Sequence, residues 1–147
     1  LRKGFTLIEL LVVIVIIAIL AAVIFVALDP VTRFAQARNS RRWTDVNSVR
    51  TAINEYIVDN GGALPTGLSS GMSETQLGTA ASGCDDCGTV AACADLSTPL
   101  AKYLASIPQD PSTGSAAETR YSVKIGSNNS PIIKACGAEL GESIEVK

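Results

Sequence analysis

Few side chains in this sequence could do chemistry, and they are unevenly placed. Four cysteines stand as Cys84-x2-Cys87-x5-Cys93-x42-Cys136. One carboxylate, Glu9, follows Phe5, Thr6, Leu7 and Ile8 and precedes 19 apolar residues, Leu10 to Leu28. Histidine is absent from all 147 residues. That absence removes Ser-His-Asp and Cys-His catalysis, histidine-ligated zinc and any imidazole pH switch. No other acid, base and nucleophile come together, so no catalytic residue is assigned and no enzyme activity is expected.

Three chemistries compete for the cysteines. An all-cysteine zinc site usually has two Cys-x2-Cys hooks, and only one is present. A redox Cys-x-x-Cys sits between a strand and a helix that opens on it, whereas Cys84-Asp85-Asp86-Cys87 lies in a stretch rich in Gly, Ser, Thr and Ala. Its acidic residues also disfavour the thiolate. Two structural disulfides are the favoured reading, since an even count suits an oxidising exterior. Four cysteines allow three pairings, and the sequence does not choose among them. Loop-closure entropy prefers Cys136 joined to Cys93 or Cys87, because closing a loop of about 44 residues contributes roughly 4 kcal/mol.

Glu9 poses a different problem. A carboxylate at membrane depth costs about 2.5–3.5 kcal/mol at a helix centre and less near the interface. Either Glu9 stays level with the head groups and does nothing, or it meets a cation inside an apolar assembly.

The elements that position these groups follow from composition. The chain is 47% hydrophobic, and residues 1–28 hold 23 of its 69 hydrophobic residues. This concentration explains a mean hydropathy of +0.29. Leu10 to Leu28 would span roughly 28 Å as a helix, which matches a hydrocarbon core of about 30 Å. A cleaved signal peptide would have a shorter apolar run and a small-x-small cleavage site. The nearest such triplet, Ala35-Gln36-Ala37, lies beyond Pro30, so a membrane span is favoured. Charge leaves the orientation open, because Arg2 and Lys3 on one side compete with Arg33, Arg38, Arg41 and Arg42 on the other. The cysteines decide it: the head belongs outside and the N-terminus in the cytoplasm.

Beyond Asp29-Pro30 the pattern turns amphipathic. Val46, Val49, Ile53 and Ile57 recur at spacings of 3, 4 and 4, one helical face, with Arg38, Arg42, Arg50 and Asp59 at other positions. Pro30 admits a kink within one helix or a fresh start behind an Asp29 cap. Asn60-Gly61-Gly62 ends the helix. As one rod, Phe5 to Asn60 would reach about 84 Å, too long for a single domain to bury. Trp43 is expected to pack on the head or on a neighbouring subunit, and the arginines around it to form a solvated face. Residues 61–94 read as a long surface loop and 95–107 as a short helix carrying Leu96, Leu100, Tyr103, Leu104 and Ile107. Tyr121-Val123-Ile125, Ile132 to Cys136 and Ser143 to Lys147 read as antiparallel strands. The fold class is α+β: a long N-terminal helix, half membrane-spanning and half amphipathic, with a small head holding a short helix and a sheet.

The stretch Lys3-Gly4-Phe5-Thr6-Leu7-Ile8-Glu9-Leu10 resembles the processing signature of type IV pilins and pseudopilins. The resemblance implies a membrane prepilin peptidase that cuts between Gly4 and Phe5, removing a short leader of residues 1–4, followed by N-methylation of Phe5. It also implies that Glu9 pairs with the terminal amine of Phe5 on a neighbouring subunit, which supplies the cation sought above. In an apolar core such a pair adds little net stability, but a missing partner is heavily penalised, so it acts as a register check. Many members carry a kinking proline where Val26 stands; here the first proline is Pro30. Tyr56…Asp59-Asn60-Gly61…Leu64-Pro65 and Tyr103…Ile107-Pro108-Gln109-Asp110-Pro111 resemble the family more loosely. Some pseudopilins of this head type bind calcium. Asp110 matches that region, but Ser127-Asn128-Asn129-Ser130 offers no carboxylate. No cofactor or metal is expected, with calcium as the one candidate. Asn128-Asn129-Ser130 fits a glycosylation sequon too common to weigh.

Charge by segment narrows the partners. Residues 31–60 carry 5 basic against 3 acidic groups, and residues 61–147 carry 5 against 9. Phosphate contacts need lysine and arginine, so this acidic head is not expected to bind nucleic acid. The sequence points to a pilin that polymerises with copies of itself. It would wait in the inner membrane, engage an assembly platform there, and end in a filament at the cell surface. The alternatives are a pseudopilin of a type II secretion-like system and, from another class, a single-span receptor or binding protein.

Overall fold

The structure, a computed structural model, describes residues 4–147. The basic pair Arg2-Lys3 lies outside the described residues, as does Leu1. The chain divides into two compact units, Leu1–Ala35 and Gln36–Lys147.

The first unit is dominated by α1, Leu7–Leu28, 22 residues with none buried. Its length of about 33 Å and its apolar composition suffice to cross a membrane. The helix ends at Asp29, whose backbone is left-handed (φ 38°, ψ 73°). Helix α2, Pro30–Asp59, then starts with proline at its first position, where a missing N–H costs nothing. The Asp29 carboxylate accepts a hydrogen bond from Thr32 Oγ1 at 2.5 Å. Of the two readings of Pro30, the fresh start is the one observed, and no single helix runs from Phe5 to Asn60.

In the second unit α2 runs on to Asp59 and stops where the glycines allow it. Gly61 and Gly62 take φ of 65° and 94°. Their N–H groups donate to Val58 and Ile57 carbonyls at 3.4 and 2.8 Å, the double bond of a Schellman ending. Val46, Val49 and Ile53 are wholly buried, as the stripe requires, with Ala52 beside them. They pack on Leu77, Leu96, Leu100, Tyr121, Val123, Ile133 and Ile144 in one core.

The sheet has four antiparallel strands in sequence order: β1 (Thr75–Gln76), β2 (Tyr121–Ile125), β3 (Pro131–Ala135) and β4 (Ile144–Val146). Val123 faces Ile133, and Ile133 faces Val146, so the inward residues of neighbouring strands stack against α2. The last three strands match the alternating segments of the sequence to within a residue at each end.

Three expectations are corrected. Residues 61–94 are not wholly a surface loop: they contribute β1, a one-turn 3-10 helix at Cys84–Cys87 and the buried Gln76 and Leu77. A two-residue strand is too short to register as periodicity. Residues 95–107 form successive turns rather than a helix. Leu100 and Leu104 donate four residues back, at 3.1 and 2.9 Å, but Ala101 and Tyr103 donate three back, at 3.3 and 2.9 Å. Bonds that alternate in this way do not build a continuous helical ladder. The expected face nonetheless turns inward, with Leu96 and Leu100 buried. Finally, Arg42 is not on an exposed face: it is 1% exposed.

Candidate functional site

Two regions bring chemistry-bearing residues together: the start of α1 and the junction of α2 with the head. At the first, Gly4, Phe5 and Thr6 are exposed and not helical, so the Gly4–Phe5 peptide lies in non-helical chain just ahead of α1. Phe5 is 78% exposed. Thr6 is the N-cap, extended at φ −83° and ψ 150°. Its hydroxyl accepts from Glu9 N–H at 3.3 Å, while Glu9 Oε2 accepts from Thr6 N–H at 2.8 Å and from Thr6 Oγ1 at 2.6 Å. This is a reciprocal capping box. It satisfies donors that the first helical turn leaves open, and it places a negative charge at the positive end of the helix dipole. Thr6-x-x-Glu9 ahead of an apolar run is the sequence signal for such a box. Glu9 thus has partners within its own chain, at the end of a helix with no buried residue.

At the second region the apolar stripe of α2 continues as polar residues. Asn39, Arg42 and Asp45 are 2%, 1% and 6% exposed. Arg42 forks onto Asp110, with Nε to Oδ2 at 2.5 Å and Nη2 to Oδ1 at 3.1 Å. Its Nη1 donates to Glu139 Oε2 at 2.7 Å and to Asn39 Oδ1 at 2.9 Å. Arg38 grips the same Glu139 carboxylate at 2.7 and 2.6 Å. Asn39 also pairs with the Glu139 backbone, donating to its carbonyl at 2.9 Å and accepting from its N–H at 3.0 Å. Asp110 Oδ1 accepts from the Ser112 and Thr113 N–H groups as well, at 2.9 and 3.1 Å.

Burial pushes the Asp110 carboxyl upward, but hydrogen bonds from Arg42, Ser112 and Thr113, with the Arg42 charge, hold it below the usual range. Hydrogen bonds from Arg38 and then Arg42 bring Glu139 down to about 2. Nearby, Tyr121 OH donates to Asp45 at 2.8 Å, and burial with that carboxylate pushes the phenol far up. Hydrophobic periodicity cannot find this network, since it scores only apolar residues. Every Asp110 oxygen is engaged, which leaves the proposed calcium carboxylate committed to Arg42. Among the described residues no group of three or more His, Cys, Asp or Glu is placed to hold a metal ion.

The four cysteines form two disulfides, Cys84–Cys93 and Cys87–Cys136. The second joins the 3-10 helix to the residue after β3, closing 49 residues of sequence. Cys84 and Cys87 share one helical turn but bond elsewhere, so Cys-x-x-Cys is not a dithiol pair here. Trp43 is 39% exposed and lines an open groove with Thr44, Asn47, Tyr103 and Leu104.

Residues 1–25 match the family described as the prokaryotic N-terminal methylation motif, the hallmark of type IV pilins and pseudopilins. The match takes in Gly4, Phe5, the capping box and most of α1, and does not extend to the head. No solved structure matches the chain.

Proposed function

We propose that this chain is a structural subunit of a type IV pilus-like filament, a pilin, which polymerises with copies of itself through α1. The observation that carries this reading is Glu9 at the start of a 22-residue apolar helix with no buried residue, inside a methylation motif. Such a helix needs lipid or other helices against it, because its exposed apolar surface is far larger than soluble proteins tolerate. A prepilin peptidase would cut between Gly4 and Phe5, where the backbone is exposed and outside the helix. The new amine of Phe5 would then be the cation that meets Glu9 of a neighbour, taking the place of the Thr6 contacts.

The subunit would first sit in the inner membrane with its N-terminus in the cytoplasm, its head outside, and the assembly platform beside it. Both disulfides support an exterior head, since such bonds persist in oxidising compartments. The motif belongs to a structural family rather than an enzymatic one, and we read the filament, not catalysis, as the activity. Heterologous contacts that do not close produce such a polymer.

Glu9→Val tests the reading. The variant should insert into the membrane and be processed, yet fail to enter filaments, because the apolar core no longer offers the amine a partner. Normal assembly of Glu9→Val would refute the pairing. Cryo-electron microscopy of sheared surface material supplies the second arm. Long fibres at native expression support a pilin; fibres only on overexpression support a secretion pseudopilin; monomers alone support a membrane-anchored binding protein.

A further inference from the structure

One end of the sheet's outer face is polar, yet it is covered. Val123, opposite Thr75, and Leu77 both belong to the core, so Gln76 between Thr75 and Leu77 points to the other face, level with Ser122. Gln76 and Ser122 are nonetheless 0% and 1% exposed. Residues 81–93 lie over them. Cys136 Sγ, bonded to Cys87 of this segment, stands 3.8 Å from Ser122 Oγ. A Cβ on Gly88 would come 2.9 Å from Gln76 N, which shows how closely the segment approaches β1.

This covering segment brings little of its own to bury. It is closed on itself by Cys84–Cys93, and within it only Cys84 and Cys87 are buried, with Val90 turned outward. It is tied to the sheet by Cys87–Cys136 and by Thr89 N–H, which donates to the Glu74 carbonyl at 2.8 Å. The ion pair of Asp86 with Arg120, at 3.3 Å, is largely open to water. Beneath the segment, the Gln76 carboxamide has no hydrogen-bond partner for its nitrogen or its oxygen among the described residues. Water would satisfy that amide, so its burial opposes whatever covers it. Closure thus removes a polar group from water and gains little apolar burial in return.

We propose that residues 81–93 form a redox-gated strap, held shut by Cys87–Cys136 and opened when a dithiol reductant cleaves that bond. A thiolate of the reductant attacks one of the two sulfurs and forms a mixed disulfide, which the reductant's second thiol resolves. Cys87 and Cys136 take up two electrons and two protons and become thiols, while the reductant leaves as its own disulfide. Freed of the bond, the strap lifts and water reaches Gln76. In the oxidising exterior read above for the head, the bond persists and the strap stays shut. Before the bond forms, the strap stands open. The opening itself does not depend on the filament reading.

The test follows amide hydrogen exchange in the full-length chain in detergent. Thr89 N–H reports the strap, and Leu77 N–H, which donates to the Tyr121 carbonyl at 2.8 Å, reports the sheet beneath. In the double variant Cys87→Ala with Cys136→Ala, Thr89 should exchange roughly tenfold or more faster than Leu77, because the strap opens while the sheet stays folded. Dithiothreitol should produce the same split in the wild-type chain, and reoxidation should remove it. Adding Gln76→Met to the double variant replaces the unpaired amide with an apolar side chain of similar length, and should slow Thr89 about tenfold. Thr89 and Leu77 exchanging together in the double variant would overturn the strap, since the segment would then open only with the whole head. A Cys87–Cys136 bond that dithiothreitol leaves intact would overturn the gating. An unchanged Thr89 rate on adding Gln76→Met would overturn the opposition assigned to the buried amide.

Discussion

Arg42→Ala offers the most informative perturbation of the head. Arg42 is 1% exposed and its partner Asp110 is wholly buried at the side chain. Removing the guanidinium leaves a buried carboxylate that keeps, among the described residues, the hydrogen bonds from Ser112 and Thr113 alone. Breaking a buried pair in this way costs about 3–5 kcal/mol, because the remaining charge is neither hydrated nor matched. With a urea slope of roughly 1.5 kcal/mol per M, the unfolding midpoint should fall by about 2–3 M. Trp43, on the same helix and beside Tyr103 and Leu104, provides the fluorescence signal in detergent-solubilised full-length chain. Arg38→Ala is the control. Its side chain is 34% exposed, and water screens a pair in this position, so the midpoint should move far less. Arg42→Met combined with Asp110→Leu should recover much of the loss, because no wholly buried charge is then left without its partner. Equal midpoints for Arg42→Ala and Arg38→Ala, or a double variant as weak as the worse single one, would refute the buried-charge argument.

The remaining predictions concern the disulfides and acid. Loop-closure entropy assigns about 4 kcal/mol to Cys87–Cys136 and about 3 kcal/mol to Cys84–Cys93, so pairwise replacement by Ala should lower the urea midpoint more for the first pair; the reverse order would count against loop length as the cause. Glu139, lowered from 4.5 to about 2 in the folded chain, contributes stability that is fully present above about pH 4.5 and is lost as pH falls toward about 2. The urea midpoint should therefore be level from pH 7 to 5 and then decline. Arg38→Ala should make that decline shallower, and an unchanged profile would show that the Arg38 contact does not set the carboxyl.

Much of the fold was legible because it is written locally. Leu10 to Leu28 has no charge, proline or glycine, and any such run satisfies its backbone as a helix. Val46, Val49 and Ile53 repeat at the helical period, and Tyr121, Val123 and Ile125 at the strand period. The end of α2 was legible for the same reason, through Asn60-Gly61-Gly62, whereas Pro30 left its start open between a kink and a fresh helix. Residues 95–107 misled because Leu96, Leu100 and Leu104 keep helical spacing while the bonds between them alternate between three and four residues back. Their burial needs the spacing alone, whereas a helix needs a continuous ladder as well. Strand β1 was missed because Thr75 and Gln76 owe their conformation to β2 alongside.

The candidate site divides along the same line. Gly4, Phe5, Thr6 and Glu9 lie within six residues, so their types and order reveal both the motif and the capping box. Arg42 meets Asp110 across 68 positions and Glu139 across 97. Helical register separates Arg42, which continues the Val46-Val49-Ile53 face, from the exposed Arg41 next to it, but nothing local names the acids that Arg42 meets.

By itself, then, the sequence determined the membrane-length helix, its processing signature, the amphipathic stripe and the order of the main strands. All of these arise from interactions between residues a few positions apart. Only the tertiary structure decided that Cys87 bonds Cys136 and that Arg42 is buried on Asp110. Each depends on which distant segments the collapsed core brings within a few ångströms, and neither spacing nor composition encodes that distance.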